Sequence, residues 1–196
     1  IDFGPTSLSA TPWNNITSHQ ESSTTSWIKD VENNYTNIGV RVLDGFTATH
    51  AGVGSEPASP VTVDGVEFPL TAWKDGLLVK GEKNQGDVGP GRIEISQLDV
   101  ARKYNFTILA IRFNGSKDAR ISSYKLVGKT ESAVKEVKTG IKDAASFAAA
   151  NFEEYIAKFE NVEPDSEGKV IVEVKGLDTG SAAEGHINAL CISLAK

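Results

Sequence analysis

"YNFTILAIRFNGSKDARISSYKLVG", residues 104–128, carries two runs of alternating side chains on either side of a polar, glycine-containing turn. Successive side chains of a strand point to opposite faces of a sheet. The first run places Phe106 and Ile108 on one face and Leu109 and Ile111 on the other. Both faces are therefore predicted to be buried. The stretch predicts a β-hairpin whose first strand lies centrally in a sheet.

The same alternation recurs along the chain, and residues typical of turns separate the runs. The further runs lie at 37–46, 76–81, 91–98, 132–141, 153–162, 169–177 and 186–194. About nine strands without alternating helices predict an all-β fold, a two-sheet antiparallel β-sandwich of the jelly-roll type. The length of 196 residues favours one domain spanning 1–196.

Two segments depart from the strand pattern. The alanines of residues 142–152 predict one short helix, which Asp143 can cap. Residues 45–76 are rich in Gly, Pro, Ala and Thr and are predicted to be the least structured part of the chain. A long segment of this composition in a compact domain is often functional.

Charge and composition exclude several classes of protein. The formal net charge is −6, and acidic and basic residues are spread along the chain, so a nucleic-acid partner is not expected. Cys191, the single cysteine, lies in an apolar run and is expected to be an ordinary core residue. No stretch has the length of a transmembrane helix. The absence of methionine suggests a mature or trimmed chain from which an export signal was removed.

No catalytic motif is recognisable. The three histidines, His19, His50 and His186, are scattered, and none accompanies a nucleophile elbow or a second metal-ligating residue. We therefore do not expect an enzyme. A pair of carboxylates across a cleft is not excluded by counting acids, and a jelly-roll polysaccharide lyase or hydrolase is the remaining catalytic alternative.

Several short motifs resemble those of a known family. They are "IDFGPT" at 1–6, "WNNIT" at 13–17, the hairpin "LAIRFNGSKDARISSYKLVG", "FENVEPDSEGKVIVEV" and the closing "GHINALCISL". In this order they resemble galactose-binding-like, jelly-roll carbohydrate-binding domains of bacterial polysaccharide-utilising proteins. The resemblance implies a secreted or cell-surface protein, lipid-anchored before trimming or attached to an enzyme domain. It also implies a monomer that binds a glycan at one end of the sandwich and, in some members, a structural calcium ion.

Sugar sites combine an exposed aromatic ring with planar polar groups that bond hydroxyls. Six residues fit these roles, with the tryptophans as stacking platforms and the others as polar contacts. The predicted ligand-binding residues are Trp13, Asn14, Trp73, Arg112, Asp118 and Arg120. Asp118 would orient the two arginines.

Alternative roles remain open for these residues. An Arg112–Asp118–Arg120 contact can serve only to hold the hairpin together, and each tryptophan, Trp27 included, can be a core residue. A domain that only packs against a partner protein is the second function class, and an exposed apolar patch would mark it. For calcium, Asp2, Asp30, Glu32 and Asp44 supply carboxylates, although their spacing specifies no site.

Overall fold

The computed structural model describes residues 1–5, 9–52, 55–80, 90–113, 120–177 and 184–196. Short strands dominate these residues. In chain order the strands are β1 Asp2–Phe3, β2 Asn15–Ile16, β3 Thr24–Thr25, β4 Gly39–Asp44, β5 Ala48–His50, β6 Val61–Val63, β7 Val66–Phe68, β8 Gly76–Lys80, β9 Gly91–Ser96, β10 Tyr104–Leu109, β11 Arg112–Phe113, β12 Ile121–Val127, β13 Lys135–Lys138, β14 Gly140–Ile141, β15 Ile156–Val162, β16 Val170–Gly176, β17 Glu184–Ile187 and β18 Ala189–Leu194. The helices are α1 Leu70–Trp73, α2 Ala144–Ala148 and a 3-10 turn at Phe152–Tyr155.

Two sheets form the body of the fold. One has the order β15-β10-β18-β1-β2, and the other has the order β13-β12-β16-β9-β4-β3. Their facing side chains share one apolar core, which includes Phe106 and Ile108 of the first sheet and Ile93, Tyr124 and Val172 of the second. The predicted all-β sandwich with only short helices is confirmed.

The strand predicted to be central is buried on both faces. β10 lies between β15 and β18, and Phe106 and Ile108 face the shared core. Leu109 and Ile111 belong to a second apolar cluster on the opposite side of the same sheet. This two-sided burial explains why the run is apolar at consecutive positions.

The second cluster is covered by the parts of the chain that break the strand pattern. The β6–β7 hairpin and α1 supply Phe68 and Trp73, and α2 supplies Phe147. The expectation that residues 45–76 are the least structured is thus wrong for much of this segment. The predicted short helix is confirmed as α2, and the Asp143 carboxylate caps it by accepting from the Ser146 backbone N–H at 2.8 Å.

A third, smaller sheet closes one side of the sandwich. Its order is β17-β8-β5, and Leu77 and Val79 of β8 point into the shared core. Leu78 of the same strand therefore points away from that core. In register, His50 opposes Gly76 and His186 opposes Leu78. Opposed residues share a face, so both histidines lie on the outer face of this sheet.

The expectation that Trp73 is an exposed platform is wrong. Its indole is fully buried, stacks on Phe147 with ring centroids 4.8 Å apart, and donates from Nε1 to the Ser59 carbonyl at 3.2 Å. The ring is needed to fill the second apolar cluster, since α1 otherwise contributes only small or partly buried side chains there.

We predict that substitution of two tryptophans affects stability to very different extents. Trp73→Ala should lower the free energy of unfolding by about 3–5 kcal/mol, because it leaves a cavity and an unpaired Ser59 carbonyl. Trp27→Ala should change it by no more than about 0.5 kcal/mol, because that side chain is 62% exposed. Urea unfolding followed by circular dichroism measures both. Equal losses for the two variants would contradict this assignment.

Candidate functional site

The backbone brings the two predicted arginines together. Arg112 lies in β11 and Arg120 directly precedes β12. Thr139, which precedes β14, joins them: its carbonyl accepts from Arg112 N–H at 2.5 Å and its N–H donates to the Arg120 carbonyl at 2.9 Å. The buried residue Thr139 thus holds the backbones of the two arginines close together.

Each arginine contacts one of the two histidines on the outer face of the small sheet. Arg112 Nη1 lies 3.0 Å from His50 Nδ1, and Arg120 Nη1 lies 3.2 Å from His186 Nε2. Arg120 also forms an ion pair with Glu184. The two imidazole rings meet edge to face with centroids 5.1 Å apart. We refer to His50, Arg112, Arg120, Glu184 and His186 as the Arg–His cluster.

The absence of a side chain at Gly76 makes room for this arrangement. A Cβ built at Gly76 would lie 2.5 Å from the Ile187 carbonyl oxygen and 3.0 Å from His50 Nε2. Any larger residue would push the His50 ring away from the sheet. The backbone of His186 is held by two hydrogen bonds. The Tyr124 hydroxyl donates to its carbonyl, and the Ser122 hydroxyl accepts from its N–H at 2.9 Å.

Both histidines are uncharged in the folded protein near neutral pH. A guanidinium can only donate, so His50 Nδ1 and His186 Nε2 act as acceptors and each ring carries its proton on the other nitrogen. Burial and the nearby arginines lower the pKa of His186 to about 4, against the raising effect of Glu184. Burial lowers the pKa of His50 well below its usual value, and the proximity of His186 and of the two arginines acts in the same direction.

The cluster therefore has an excess of positive charge. Two guanidinium groups are present, while Glu184 is the one carboxylate among these five residues. The pKa of Glu184 is lowered to about 2 by the neighbouring His186 ring, whose Nε2 lies 3.6 Å from the carboxylate, and by the charges of Arg120 and Arg112. Arg120 is 3% exposed, whereas Arg112 is half-buried and donates to the Ala51 carbonyl at 3.2 Å.

The other predicted binding residues lie elsewhere or outside the description. Trp13 is half-buried and packs on Phe68 with ring centroids 5.8 Å apart. Asn14 uses its amide to bond the Lys29 backbone, donating and accepting at 2.8 Å, so it joins two loops. Asp118 falls outside the described residues, and its predicted contact with the arginines stays a prediction.

An exposed aromatic pair occurs on a hairpin that was not predicted as a site. Trp27 is 62% and Tyr35 is 74% exposed, and Lys29 Nζ lies 5.0 Å from the Tyr35 ring centroid. Lys29 and Tyr35 are bridged across the hairpin, whose turn is held by Asp30 accepting from the Glu32 and Asn34 N–H groups at 2.9 Å each. We refer to residues 27–36 as the aromatic hairpin.

Sequence reasoning missed these features for different reasons. His50 and His186 are 136 positions apart and become neighbours only through the register of β5, β8 and β17. Trp27 carried a usable signal: it stands beside Ile28 in a short polar context, and strand alternation places one of two adjacent residues outside. Ile28 is buried, and Trp27 is exposed.

The four carboxylates considered for calcium do not gather. Asp30 caps its own turn, and Asp44 pairs with Arg92 at 3.3 Å. Asp2 is buried and accepts from the Ser9 N–H at 3.1 Å. Within the described ranges, no group of three or more His, Cys, Asp or Glu side chains could hold a metal ion. In the same ranges, no helix has the length and apolarity needed to span a bilayer.

Comparison with known proteins finds similar folds only at low sequence identity. No family model and no curated protein matches the sequence. The ANX2 ectodomain from Arabidopsis thaliana is similar in structure, with a TM-score of 0.53 and 9% identity over 79% of this chain and 42% of that one. A chain from the complex of the plant peptide RALF23 with FER and LLG2 has a TM-score of 0.51 and 10% identity over 88% and 54%.

The sequence thus spans 42% and 54% of the length of these two chains. TmCBM61 in complex with β-1,4-galactotriose has a TM-score of 0.38 and 12% identity over 79% of this chain and 88% of that one, and a score this low does not establish a shared fold. At identities this low, the two structures with TM-scores above 0.5 indicate a similar fold and do not indicate a shared function.

The buried histidines predict an acid-dependent loss of stability. Between pH 6.5 and about 4, His186 is protonated in the unfolded chain and neutral in the folded protein. The contribution of His186 to the free energy of unfolding is therefore fully present above pH 6.5 and falls on acidification. From pH 7 to 4.5 this should amount to about 2 kcal/mol. In His186→Gln that loss disappears, and urea unfolding at a series of pH values measures it.

Asp2 also makes the stability depend on pH, and its contribution has to be separated from that of His186. Burial raises the pKa of its carboxyl to about 7, so its contribution is lost as the pH rises from about 4 to 7, which is the opposite direction. Because wild type and His186→Gln share Asp2, the difference between their pH profiles isolates the histidine. Parallel profiles would show that His186 is not held neutral.

Proposed function

We propose that this chain is a non-catalytic, extracellular carbohydrate-binding domain that recognises a glycan through the aromatic hairpin. The observation that carries the proposal is the pair of exposed rings, Trp27 and Tyr35, on one short hairpin, with the Lys29 ammonium beside the Tyr35 ring. Exposed aromatic rings offer a flat apolar surface to the C–H face of a sugar ring. The polar atoms around them can bond its hydroxyls.

The backbone at Trp27 supports this reading. Its φ is 54°, in the left-handed region that bulky residues rarely adopt. Such a conformation costs of order 1–2 kcal/mol. A buried ring would offset that cost through apolar contacts, but most of the Trp27 surface faces solvent. The strained, exposed position is therefore not explained by folding stability and favours a role in binding.

The rigidity of the hairpin suits a binding surface. Ile28 anchors it to the main core, and the Ile28 carbonyl accepts from both the backbone N–H of Thr36 at 2.8 Å and its hydroxyl at 2.6 Å. The Asn14 amide also holds the backbone of Lys29. Because these contacts fix the hairpin before a ligand arrives, little conformational entropy is lost on binding.

The non-catalytic part of the proposal rests on the surroundings of the histidines. His50 and His186 contact guanidinium groups, and their lowered pKa values oppose proton uptake near neutrality. A general base needs a pKa close to the working pH and access to the substrate proton. These histidines meet neither condition, because both are buried.

A second candidate is a surface that docks onto a partner protein. Val31, which lies on the same aromatic hairpin, is 89% exposed and has no role in contacting a sugar hydroxyl. An aromatic pair next to an exposed aliphatic residue is also typical of interaction hot spots. The two candidates share a surface and differ in the ligand.

We predict that Trp27→Ala weakens glycan binding at least about fivefold, because stacking of this kind is worth about 1 kcal/mol or more. Tyr35→Ala should weaken it as well. A glycan array with the wild-type chain identifies the ligand, and isothermal titration with that oligosaccharide measures the variants.

Val100→Ala is the matched control, since Val100 is 59% exposed and outside the aromatic hairpin. It should bind as wild type does. If Trp27→Ala binds the array hit with unchanged affinity, the aromatic hairpin is not the glycan site. If the wild-type chain binds no glycan on the array, the proposal of carbohydrate recognition fails and protein docking takes its place.

A further inference from the structure

The Arg–His cluster holds a positive charge that its own residues do not neutralise. Arg120 is paired with Glu184. Arg112 makes no ion pair with any residue in the described part of the chain, and its hydrogen bonds go to an uncharged imidazole and a backbone carbonyl. Burial and the charge of Arg120 lower the pKa of Arg112, while Glu184 and Glu56 act on it in the opposite sense.

The comparison with other arginines of the chain makes Arg112 unusual. Arg92 is bonded to Glu173 at 2.9 Å and to Asp44 at 3.3 Å, and Arg41 lies 3.2 Å from Glu94. Both are more exposed than Arg120 and lose less hydration. Burying a charge without a counter-charge is costly, so an unpaired, half-buried guanidinium needs an explanation.

Several N–H groups of the cluster are also left without acceptors. Within the part of the chain that the structure describes, the buried Nε atoms of Arg112 and Arg120 have no hydrogen-bond partner. The same holds for His50 Nε2 and His186 Nδ1, which carry the ring protons because the opposite nitrogens accept from the arginines. Buried donors are normally satisfied, and four unsatisfied ones in a single cluster point to a missing acceptor.

Access to the cluster is from the side of Arg112 and Glu184. The Glu184 side chain is 24% exposed and Arg112 is half-buried, whereas Arg120 and both rings are enclosed behind them. Arg120 is thus fixed in place by Glu184, and Arg112 is the guanidinium that an external group can reach. An acceptor that carries negative charge at this edge neutralises the charge of Arg112 and accepts hydrogen bonds from its guanidinium.

We propose that the Arg–His cluster is a binding site for a carboxylate group, with Arg112 as the direct contact and Arg120 as a second, buried positive charge. A carboxylate matches the planar fork of a guanidinium and can accept two hydrogen bonds from it. The neutral histidines keep the site from becoming more positive near pH 7, so the expected affinity is modest, of order 1 mM.

The test uses two carboxylates and one matched neutral sugar. Wild-type chain labelled with ¹⁵N is titrated with sodium acetate, sodium glucuronate and glucose at pH 7 and low ionic strength, and the arginine Nε–H signals are followed by NMR. Both carboxylates should shift the Arg112 signal with saturation, and glucose should not. Arg112→Gln should weaken carboxylate binding at least tenfold.

Two further variants make the result specific. Arg102→Gln removes a positive charge from an arginine whose side chain is 60% exposed, and it should leave the affinity within twofold of wild type. Asp118→Asn should also leave it unchanged. If wild type shows no shift while Asp118→Asn binds acetate, Asp118 itself occupies the site and the proposal is wrong. The absence of saturable shifts in every variant would overturn it as well.

This site is independent of the proposed glycan surface. Trp27→Ala should bind acetate as wild type does, because the aromatic hairpin supplies no contact to Arg112. Loss of glycan binding in Trp27→Ala with retained acetate binding would support both proposals. Weaker acetate binding in Trp27→Ala would contradict the separation of the two sites. If glucuronate shifts Arg112 but acetate does not, recognition extends to the sugar ring and the carboxylate alone is not the ligand.

Discussion

Strand β10 has to be covered on both faces, because Phe106 and Ile108 point to one side of its sheet and Leu109 and Ile111 to the other. A two-layer sandwich covers only one of these faces. The six-stranded sheet packs against the first. The second is covered by the β6–β7 hairpin, by α1 and by α2, which the chain supplies from two distant segments. Trp73 is drawn into the interior for this reason.

Asn188 connects that double packing to the Arg–His cluster. Its side-chain oxygen accepts from the Ile111 N–H at 2.7 Å, and its Nδ2 donates to the carbonyls of Trp73 and Asp75 at 2.8 and 2.6 Å. One buried amide therefore satisfies three backbone groups, which lie between β10 and β11, at the end of α1 and just before β8. Arg112 follows directly after the bonded Ile111, so its position depends on this amide.

Alternation was enough to predict the architecture and not enough to predict the site. Periodicity in residues 104–128 reports which side chains are buried, and the two-sided apolar pattern of β10 was read correctly. It does not report what covers the second face, and for that reason Trp73 was expected to be exposed. Pro69 before Trp73 and Gly76 after it are typical of a loop, but the residues between them form a single helical turn that packs inward.

The residues of the candidate site could be predicted only in part. Arg112 and Arg120 were proposed from their closeness in sequence, and the structure brings both to one cluster. Their partners His50, Glu184 and His186 come from two other strands, and this juxtaposition follows from strand register, which one sequence does not specify. The role of Gly76, which leaves room for the His50 ring, is likewise visible only once β5 and β8 are paired.

The two proposed surfaces differ in how they are stabilised, and this difference follows from their chemistry. A flat ring binds through surface that is already exposed, so the aromatic hairpin needs rigidity but little burial. A carboxylate site gains strength when the guanidinium is partly removed from water, because a charge-assisted bond is screened less there. The same removal costs hydration, which explains why the buried Arg120 forms an ion pair with Glu184, whereas Arg112, at the accessible edge, forms none with the residues that the structure describes.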